Sequence, residues 1–174
     1  MSISDFKAAL KGGGARSNRF KVVIDFPAFA GTSDDIRKTA FLVSSTALPG
    51  SVLGTVEVPF RGRVLKLAGD RTFDEWSCVF VNDIGFELRN AFERWQNGIN
   101  SYNTNIGPNV PNDYLSTATV YQLDRNDNNI KTYVLNMVWP SNIAQIDVAQ
   151  DTNNDIEKFE VTFQYSDINN GQSS

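Results

Sequence analysis

The sequence predicts a mainly β fold: a sandwich or partial barrel of two packed antiparallel sheets, with one flanking α-helix and a long protruding hairpin. Three observations predict it. Apolar and polar residues alternate in most segments, which is typical of half-buried strands. Only one segment repeats apolar residues at steps of three and four, as an amphipathic helix does. The 174 residues, with a net charge of −4, are enough for one globular domain with a sizeable core.

The chain divides into a flexible N-terminal arm (residues 1–18), a β domain (19–167) and a polar C-terminal tail (168–174). The arm contains three consecutive glycines, whose ordering costs much conformational entropy. A short amphipathic turn over residues 5–10 gives this arm a way to dock on a partner.

Strand patterns recur along the β domain. In the segment 132–139, Met137 falls on the same face as Tyr133 and Leu135, and Val138 falls on the other. A polar turn at 124–129 pairs this segment with the strand before it. The predicted strand segments are 20–26, 40–47, 52–58, 63–67, 74–81, 116–123, 132–139 and 158–165.

The segments 52–58 and 63–67 form a hairpin whose tight turn is Arg61-Gly62. Its tip carries Phe60 between Pro59 and the two arginines Arg61 and Arg63. A phenylalanine flanked by arginines at a tip indicates a contact surface. A hairpin that folds back and packs Phe60 on its own core is an equally good interpretation.

The helix is predicted after residue 82, with Asn82 or Asp83 as its cap and Gly98 at its end. Its polar face can be merely solvated, or it can dock a partner; residues 97–113 after it are predicted to be an exposed loop. The apolar face carries Ile84, Leu88, Ala91, Phe92 and Trp95, and the polar face Glu87, Arg89, Asn90, Glu93 and Arg94.

Composition excludes most catalytic chemistry. The chain has no histidine, which removes Ser/His and Cys/His catalysis and histidine-ligated metals. Its single cysteine, Cys78, lies in an apolar run and is expected to be buried and inert. The acidic balance, with a pI near 4.8, argues against a protein that grips nucleic-acid phosphates. No apolar run approaches the ~20 residues of a membrane span, and no secretory signal is recognisable at the N-terminus.

Each motif that suggests a ligand is incomplete. Gly12–Gly14 lacks the flanking strand and the Gly-Lys-Ser/Thr of a phosphate loop. The oxygen-rich runs 124–129 and 151–155 lack the glycine and terminal glutamate of a calcium loop, so turns are predicted there. Asp74 and Glu75 are adjacent on a strand and point to opposite faces. The sequence therefore predicts no catalytic residue, no cofactor, no metal and no enzyme.

The run Ala-Gly-Asp-Arg-Thr-Phe-Asp-Glu-Trp at 68–76 is specific. Together with the segments 47–50, 82–83, 89–96, 138–143 and 154–163, it resembles the tail tube proteins of contractile-tailed, T-even-like bacteriophages. The resemblance covers residues 19–165 and departs from the family pattern at 27–38 and beyond 167.

The resemblance implies a structural role. Six copies close into a ring whose sheets join as a β-barrel around a lumen, and rings stack into a tube through the hairpin and the chain termini. It implies as partners the tail sheath protein, a baseplate tube initiator, the tape-measure protein and a tail terminator. DNA passes through the lumen without specific binding. The protein is expected in the virion, and in the host cytoplasm during assembly, without membrane insertion.

The resemblance also implies two sets of contact residues. Candidates for inter-ring contacts are Phe6, Leu10, Val52, Val58, Phe60, Arg61, Arg63 and Ile168. Candidates for a sheath-facing helix surface are Glu87, Asn90, Glu93 and Arg94. Two alternatives stay open: a tube subunit of a phage-derived injection particle or type VI-like secretion machine carrying protein cargo, and a monomeric carbohydrate-binding sandwich that exposes Trp76, Trp95, Trp139 or Tyr102.

Overall fold

The computed structural model describes residues 2–10, 14–108, 110–150 and 155–171. The helices are α1 (Ile3–Ala9), α2 (Ser33–Leu42) and α3 (Glu87–Ile99), with a short 3₁₀ turn at Pro111–Asp113. The strands are β1 (Phe20–Ile24), β2 (Val43–Thr46), β3 (Val52–Phe60), β4 (Arg63–Thr72), β5 (Trp76–Val81), β6 (Ser116–Leu123), β7 (Asn129–Ile143), β8 (Lys158–Gln164) and β9 (Asp167–Asn169).

The long strand β7 belongs to two antiparallel sheets. Its first part pairs with β6 and β9, and its last part pairs with β8. The path of neighbouring strands is therefore β1-β6-β7-β8-β5-β2, while β3 and β4 form a separate two-stranded sheet. The edge strands β1 and β2 approach each other, since Phe20 and Thr46 line one cavity of about 470 Å³. The mainly β, partial-barrel prediction is confirmed.

The core fills the space between this curved sheet and α3. Alternate residues of β5 and β8 point inward and pair across the strands, such as Trp76 with Phe163 and Phe80 with Phe159. Phe92 of α3 packs among these rings, 5.3 Å from Phe80 between centroids. The strand patterns predicted at 20–26 and 158–165 are confirmed, because their apolar residues are the half-buried or buried ones.

Helix α2 was not predicted, and the expectation of a strand over 40–47 is wrong for residues 40–42. A capping box starts α2: Asp35 N–H bonds to Thr32 Oγ1, and Thr32 N–H bonds to Asp35 Oδ2 at 2.8 Å. The helix then continues directly into β2. Residues 43–46 do form a strand, paired with β5.

The prediction for α3 is confirmed in its centre and wrong at both ends. Leu88, Phe92 and Trp95 are fully buried, but Ile84 precedes the helix and is fully exposed. Gly98 lies inside the helix, where its missing Cβ leaves room for the ring of Phe29, and the helix ends at Ile99 with Asn100 as its cap. Asp83 does bond the first turn, since its Oδ1 accepts from Glu87 N–H at 3.1 Å.

The predicted alternation in 132–139 fails at Met137. This residue has φ +56°, and the pairing with β6 shifts register there. The extra residue is a β-bulge, which reverses the faces of all residues beyond it. As a result Val138 is fully buried, and Met137, predicted to share the face of Leu135, is 48% exposed.

Candidate functional site

The β3–β4 hairpin leaves a row of apolar side chains exposed to solvent. Its strands pair only with each other, from Val52 opposite Thr72 to Phe60 opposite Arg63. Almost every residue in both strands is exposed. The hairpin predicted at 52–67 is confirmed and is longer than predicted, reaching Thr72.

The register gives the hairpin one mainly apolar face, to which Arg63 opposite Phe60 also belongs, and one mixed face, because residues directly opposite in an antiparallel pair share a face. The mixed face contains Pro59 opposite Val64 as well as a pair of charged residues. In this pair Glu57 lies opposite Lys66, with Oε1 3.5 Å from Nζ. The apolar residues of the other face, named here the ribbon face, are Val56, Val58, Phe60, Leu65 and Leu67, which are between 41% and 66% exposed.

The tip is a two-residue turn at Arg61 and Gly62, with φ +46° and +79°. Positive φ at both positions is typical of type I′ hairpin turns. The Arg61 guanidinium lies 5.3 Å from the Phe60 ring centroid, which is a cation–π contact. Phe60 is 66% exposed, so the interpretation in which it packs on its own core is wrong.

At the base of the hairpin two glycines face each other. The register shifts between Leu53 and Thr55, and a Cβ on Gly69 would lie 3.1 Å from the backbone carbon of Gly54. Near this close approach of the two glycines, Arg71 Nη1 donates to Ser51 Oγ at 3.0 Å. The specific block at 68–76 therefore runs from the hairpin base into the first residue of β5.

The candidate residues in the two termini lie in different surroundings. α1 has a capping box from Ser2 and Asp5, and the hydrogen bonds from Ser2 lower the pKa of the Asp5 carboxyl. It buries none of its residues: Phe6 is 65% exposed and Leu10 44%. Ile168 instead lies in β9 opposite Leu135 and packs partly against the core. Of the glycine run, residues 12 and 13 lie outside the described residues.

The polar face of α3 is partly occupied within the subunit. Lys38 of α2 forms an ion pair with Glu87, and Arg89 Nε donates to Glu93 Oε1 at 2.9 Å. Arg94 Nε donates to the Ala30 carbonyl at 2.8 Å. Asn90 is exposed and lies between these groups. The structure thus places the four sheath-facing candidates on one helix but engages three of them internally.

The groups that could carry chemistry are engaged internally. Asp124 accepts from Asn126 N–H at 2.7 Å and from Asn128 N–H at 2.9 Å, and these bonds form the predicted turn. The bonds from Asn128 are also the main reason that the pKa of Asp124 is lowered. Within the described ranges, no three acidic or cysteine side chains converge as metal ligands, and no helix is long and apolar enough to cross a membrane. The run 151–154 lies outside the described residues.

The aromatic residues suited to bind sugars are mostly buried. The Trp76 indole N–H donates to the Ala47 carbonyl at 2.9 Å, and that of Trp95 to the Tyr114 carbonyl at 2.8 Å. Trp139 is half-buried, and Tyr102 is exposed in the loop after α3. The described surface therefore offers no stacked tryptophan platform.

Solved structures share this fold. The tube of an extracellular contractile injection system, in its sheath–tube complex, matches with TM-score 0.64 and 16% identity over 97% of both chains. A chain of the tube-terminating cap structure of the anti-feeding prophage matches with TM-score 0.64 and 14% identity over 92% of both. The chain thus has the fold that is found in these contractile machines.

Sequence comparison is more specific. The phage tail tube protein family matches residues 15–169. The tail tube protein of Serratia phage KSP90 is 32% identical, covering 94% of each chain. Tail tube protein gp19 of Enterobacteria phage T4 is 31% identical, covering 93% of this chain and 96% of that protein. The chain belongs to the phage tail tube protein family, a structural family and not one of enzymes, and the resemblance seen in the sequence is confirmed.

Proposed function

We propose that six copies of this chain close into a ring, and that rings stack through the β3–β4 hairpin into the hollow tube of a contractile phage tail. The exposed ribbon face supports this most directly. A two-stranded ribbon with an uncovered apolar face and two unpaired edges is a liability for an isolated protein. Ordered contact with further copies removes that liability, and a repeated head-to-tail contact builds a column.

The termini contribute to the same contact. Phe6 projects from a helix of seven residues that buries none of them in its own subunit, and Leu10 caps the end of that helix. Helices this short are marginal in water unless they pack on something. We propose that α1 docks on the adjacent ring, and that Ile168, half-buried in its own core, contributes less.

The remaining partners are the sheath, a baseplate initiator, the tape-measure protein and a tail terminator. The names of the structural neighbours support three of them: a baseplate, a sheath–tube complex and a tube-terminating cap. The tape-measure protein rests on the sequence resemblance alone. On α3, Asn90 and the outer sides of Glu87, Glu93 and Arg94 form the proposed sheath contact. The protein acts in the virion after assembly in the host cytoplasm, and DNA passes through the lumen without specific binding.

A second candidate is a tube subunit of an injection particle that carries protein. The likeness to injection-system tubes favours it, although identity of 14–16% shows the fold alone. The relatives at 31–32% identity are phage proteins. Purified particles distinguish the two by their contents, since encapsidated DNA supports the phage tail and its absence the injection particle.

The substitution Phe60→Asp tests the hairpin assignment. A carboxylate in a desolvated contact is costly, so the variant should stay folded and form no tubes in negative-stain micrographs. Ile84→Asp is the matched control, because Ile84 is fully exposed and lies outside the proposed contacts. Tubes of normal length with Phe60→Asp, alongside normal tubes with the control, contradict the assignment.

A further inference from the structure

We infer that a cavity lined by arginines at one end of the subunit binds an acidic segment at the other end of a second copy, and so sets the direction in which copies stack. The inference rests on the proposed tube function and names the partner of a surface that the hairpin contact does not involve. It follows from three features: the cavity, the segment, and the strand that separates them.

Three arginines line the cavity, which has a volume of about 170 Å³ and an apolar floor of Leu123 and Ile130. Arg19 is paired, with Nη1 3.1 Å from Asp127 Oδ1. Within the described part of the chain, no ion pair engages the other two, Arg16 and Arg125. Two arginines without an ion pair to any described residue therefore line a cavity that also has apolar lining residues, and arginine is the side chain best suited to hold carboxylates in a two-pronged geometry.

The acidic group that lines this cavity does not neutralise it. Asp124 directs its carboxylate at its own turn, where it accepts three N–H bonds from Asn126 and Asn128. Asp127, the other carboxylate of the turn, is the partner of Arg19. The residues 14–21 add Lys21 to the arginines and contain no acidic residue.

Hydrogen bonds fix the backbone at two of the three arginines, Arg16 and Arg19. Gln122 Nε2 lies 2.8 Å from the carbonyl oxygens of both Arg16 and Arg19. Leu123 N–H also donates to the Arg19 carbonyl, at 2.9 Å, which extends the β1–β6 pairing by one residue. A site whose backbone is already fixed loses less entropy when it binds.

The complementary segment is the connection between β7 and β8. Residues 144–157 contain no lysine or arginine. The proposed contact involves only its described residues, 144–150 and 155–157, because residues 151–154 lie outside the described residues. These include the acids Asp147 and Asp155 and two apolar side chains, Val148 and Ile156, which are 78% and 70% exposed. A third acid, Glu157, already accepts from Asn82 Nδ2 at 3.0 Å. Acidic groups beside exposed apolar ones match arginines beside an apolar floor.

The two surfaces cannot meet within one subunit, because β7 lies between them. The turn at 124–128 enters β7 at Asn129, and the acidic segment leaves it after Ile143. The cavity of one copy can therefore meet the acidic segment only of another. A contact between different surfaces at opposite ends repeats without closing, and opposite charges give it one polarity.

Charge exchange tests this contact. The first variant is Arg16→Glu/Arg125→Glu, the second is Asp147→Lys/Asp155→Lys, and the third carries all four changes. Arg37→Glu/Lys158→Glu is the control for the first variant, because it makes the same change in net charge at positions outside the proposed contact. Circular dichroism verifies folding, and negative-stain microscopy counts rings and columns.

Each two-site reversal should leave rings and reduce columns about ten-fold or more, since like charges across a contact cost several kcal/mol. The four-site variant should recover columns, and the control should match the wild type. Three outcomes overturn this inference but leave the proposed function standing. They are unchanged columns in both two-site variants, no recovery of columns in the four-site variant, and loss of rings together with columns. A wild-type protein that forms no columns overturns the proposed function and this inference with it.

Discussion

Cys78 shows at the scale of one residue how the curved sheet isolates a reactive group. Its side chain is fully buried on β5 opposite Val161, and its thiol donates to Thr46 Oγ1 at 3.1 Å. Burial is the main reason that its pKa rises to about 12, from an ordinary value of 9.0. The thiol is thus neutral at any physiological pH, as the apolar run around it predicts.

This pKa shift makes stability depend on pH in the alkaline range. The folded state keeps the Cys78 proton up to about pH 12, whereas the unfolded chain loses it above pH 9.0. The stability linked to this proton is therefore complete below pH 9 and is lost as the pH rises towards 12. The difference in unfolding free energy between the wild type and Cys78→Ala, measured by urea denaturation, should be constant from pH 7 to 9 and then shrink. A constant difference up to pH 11 contradicts the assignment.

At the scale of the element, α2 protects the open side of the barrel. Helix α2 packs against β1, and its Thr39 is fully buried. The Thr39 hydroxyl accepts from the Ile24 N–H at 3.2 Å and donates to the Ile36 carbonyl at 2.6 Å. An N–H of the edge strand is thus satisfied by a side chain and not by another strand, which blunts that edge.

Replacing this hydroxyl tests the role of α2. Thr39→Val keeps the shape of the side chain but leaves the buried Ile24 N–H without an acceptor, which costs about 1–3 kcal/mol. Thr119→Val on β6 is the control, since Thr119 is only half-buried. Chemical denaturation should show the loss for Thr39→Val and a much smaller change for the control; equal changes contradict the edge-protecting role.

The elements that the sequence predicts correctly are those decided locally. Alternation identifies β8 because one of its faces is buried in the core and the other is more exposed. The Arg61-Gly62 turn identifies the hairpin because the conformation of a two-residue turn depends on its own residues. Helix α2 is missed although β1, on which it packs, directly precedes it in the chain, and although its capping box of Thr32 and Asp35 is a local signal. The bulge at Met137 is missed because nothing local requires a positive φ there; pairing with β6 imposes it.

The same distinction applies to the candidate site. Phe60 and its arginines are recognisable from a tip motif. The arginine cavity is not, because it combines Arg16 with Arg125 across 109 residues through the pairing of β1 with β6 and of β6 with β7. A signal was nevertheless present in the charges: residues 144–157 contain no cation, and residues 14–21 contain no acid.

At the scale of the whole molecule, the chain consists of a packed domain and a ribbon, to which the proposed function assigns assembly. The buried aromatic core lies among β5, β8 and α3, while the ribbon beyond Gly54 and Gly69 contributes no residue to it. In the proposed function, stability and assembly are thus carried by different residues.

Removal of the ribbon tests this separation. Residues 55–68 can be replaced by a two-residue turn, since the backbones of Gly54 and Gly69 already approach closely. A two-stranded hairpin is at best marginally stable by itself, so the shortened protein should unfold within a few degrees of the wild type. It should remain monomeric in size-exclusion chromatography and form no tubes. A large loss of thermal stability would show that the ribbon supports the core, and tubes formed without it would show that other surfaces suffice for stacking.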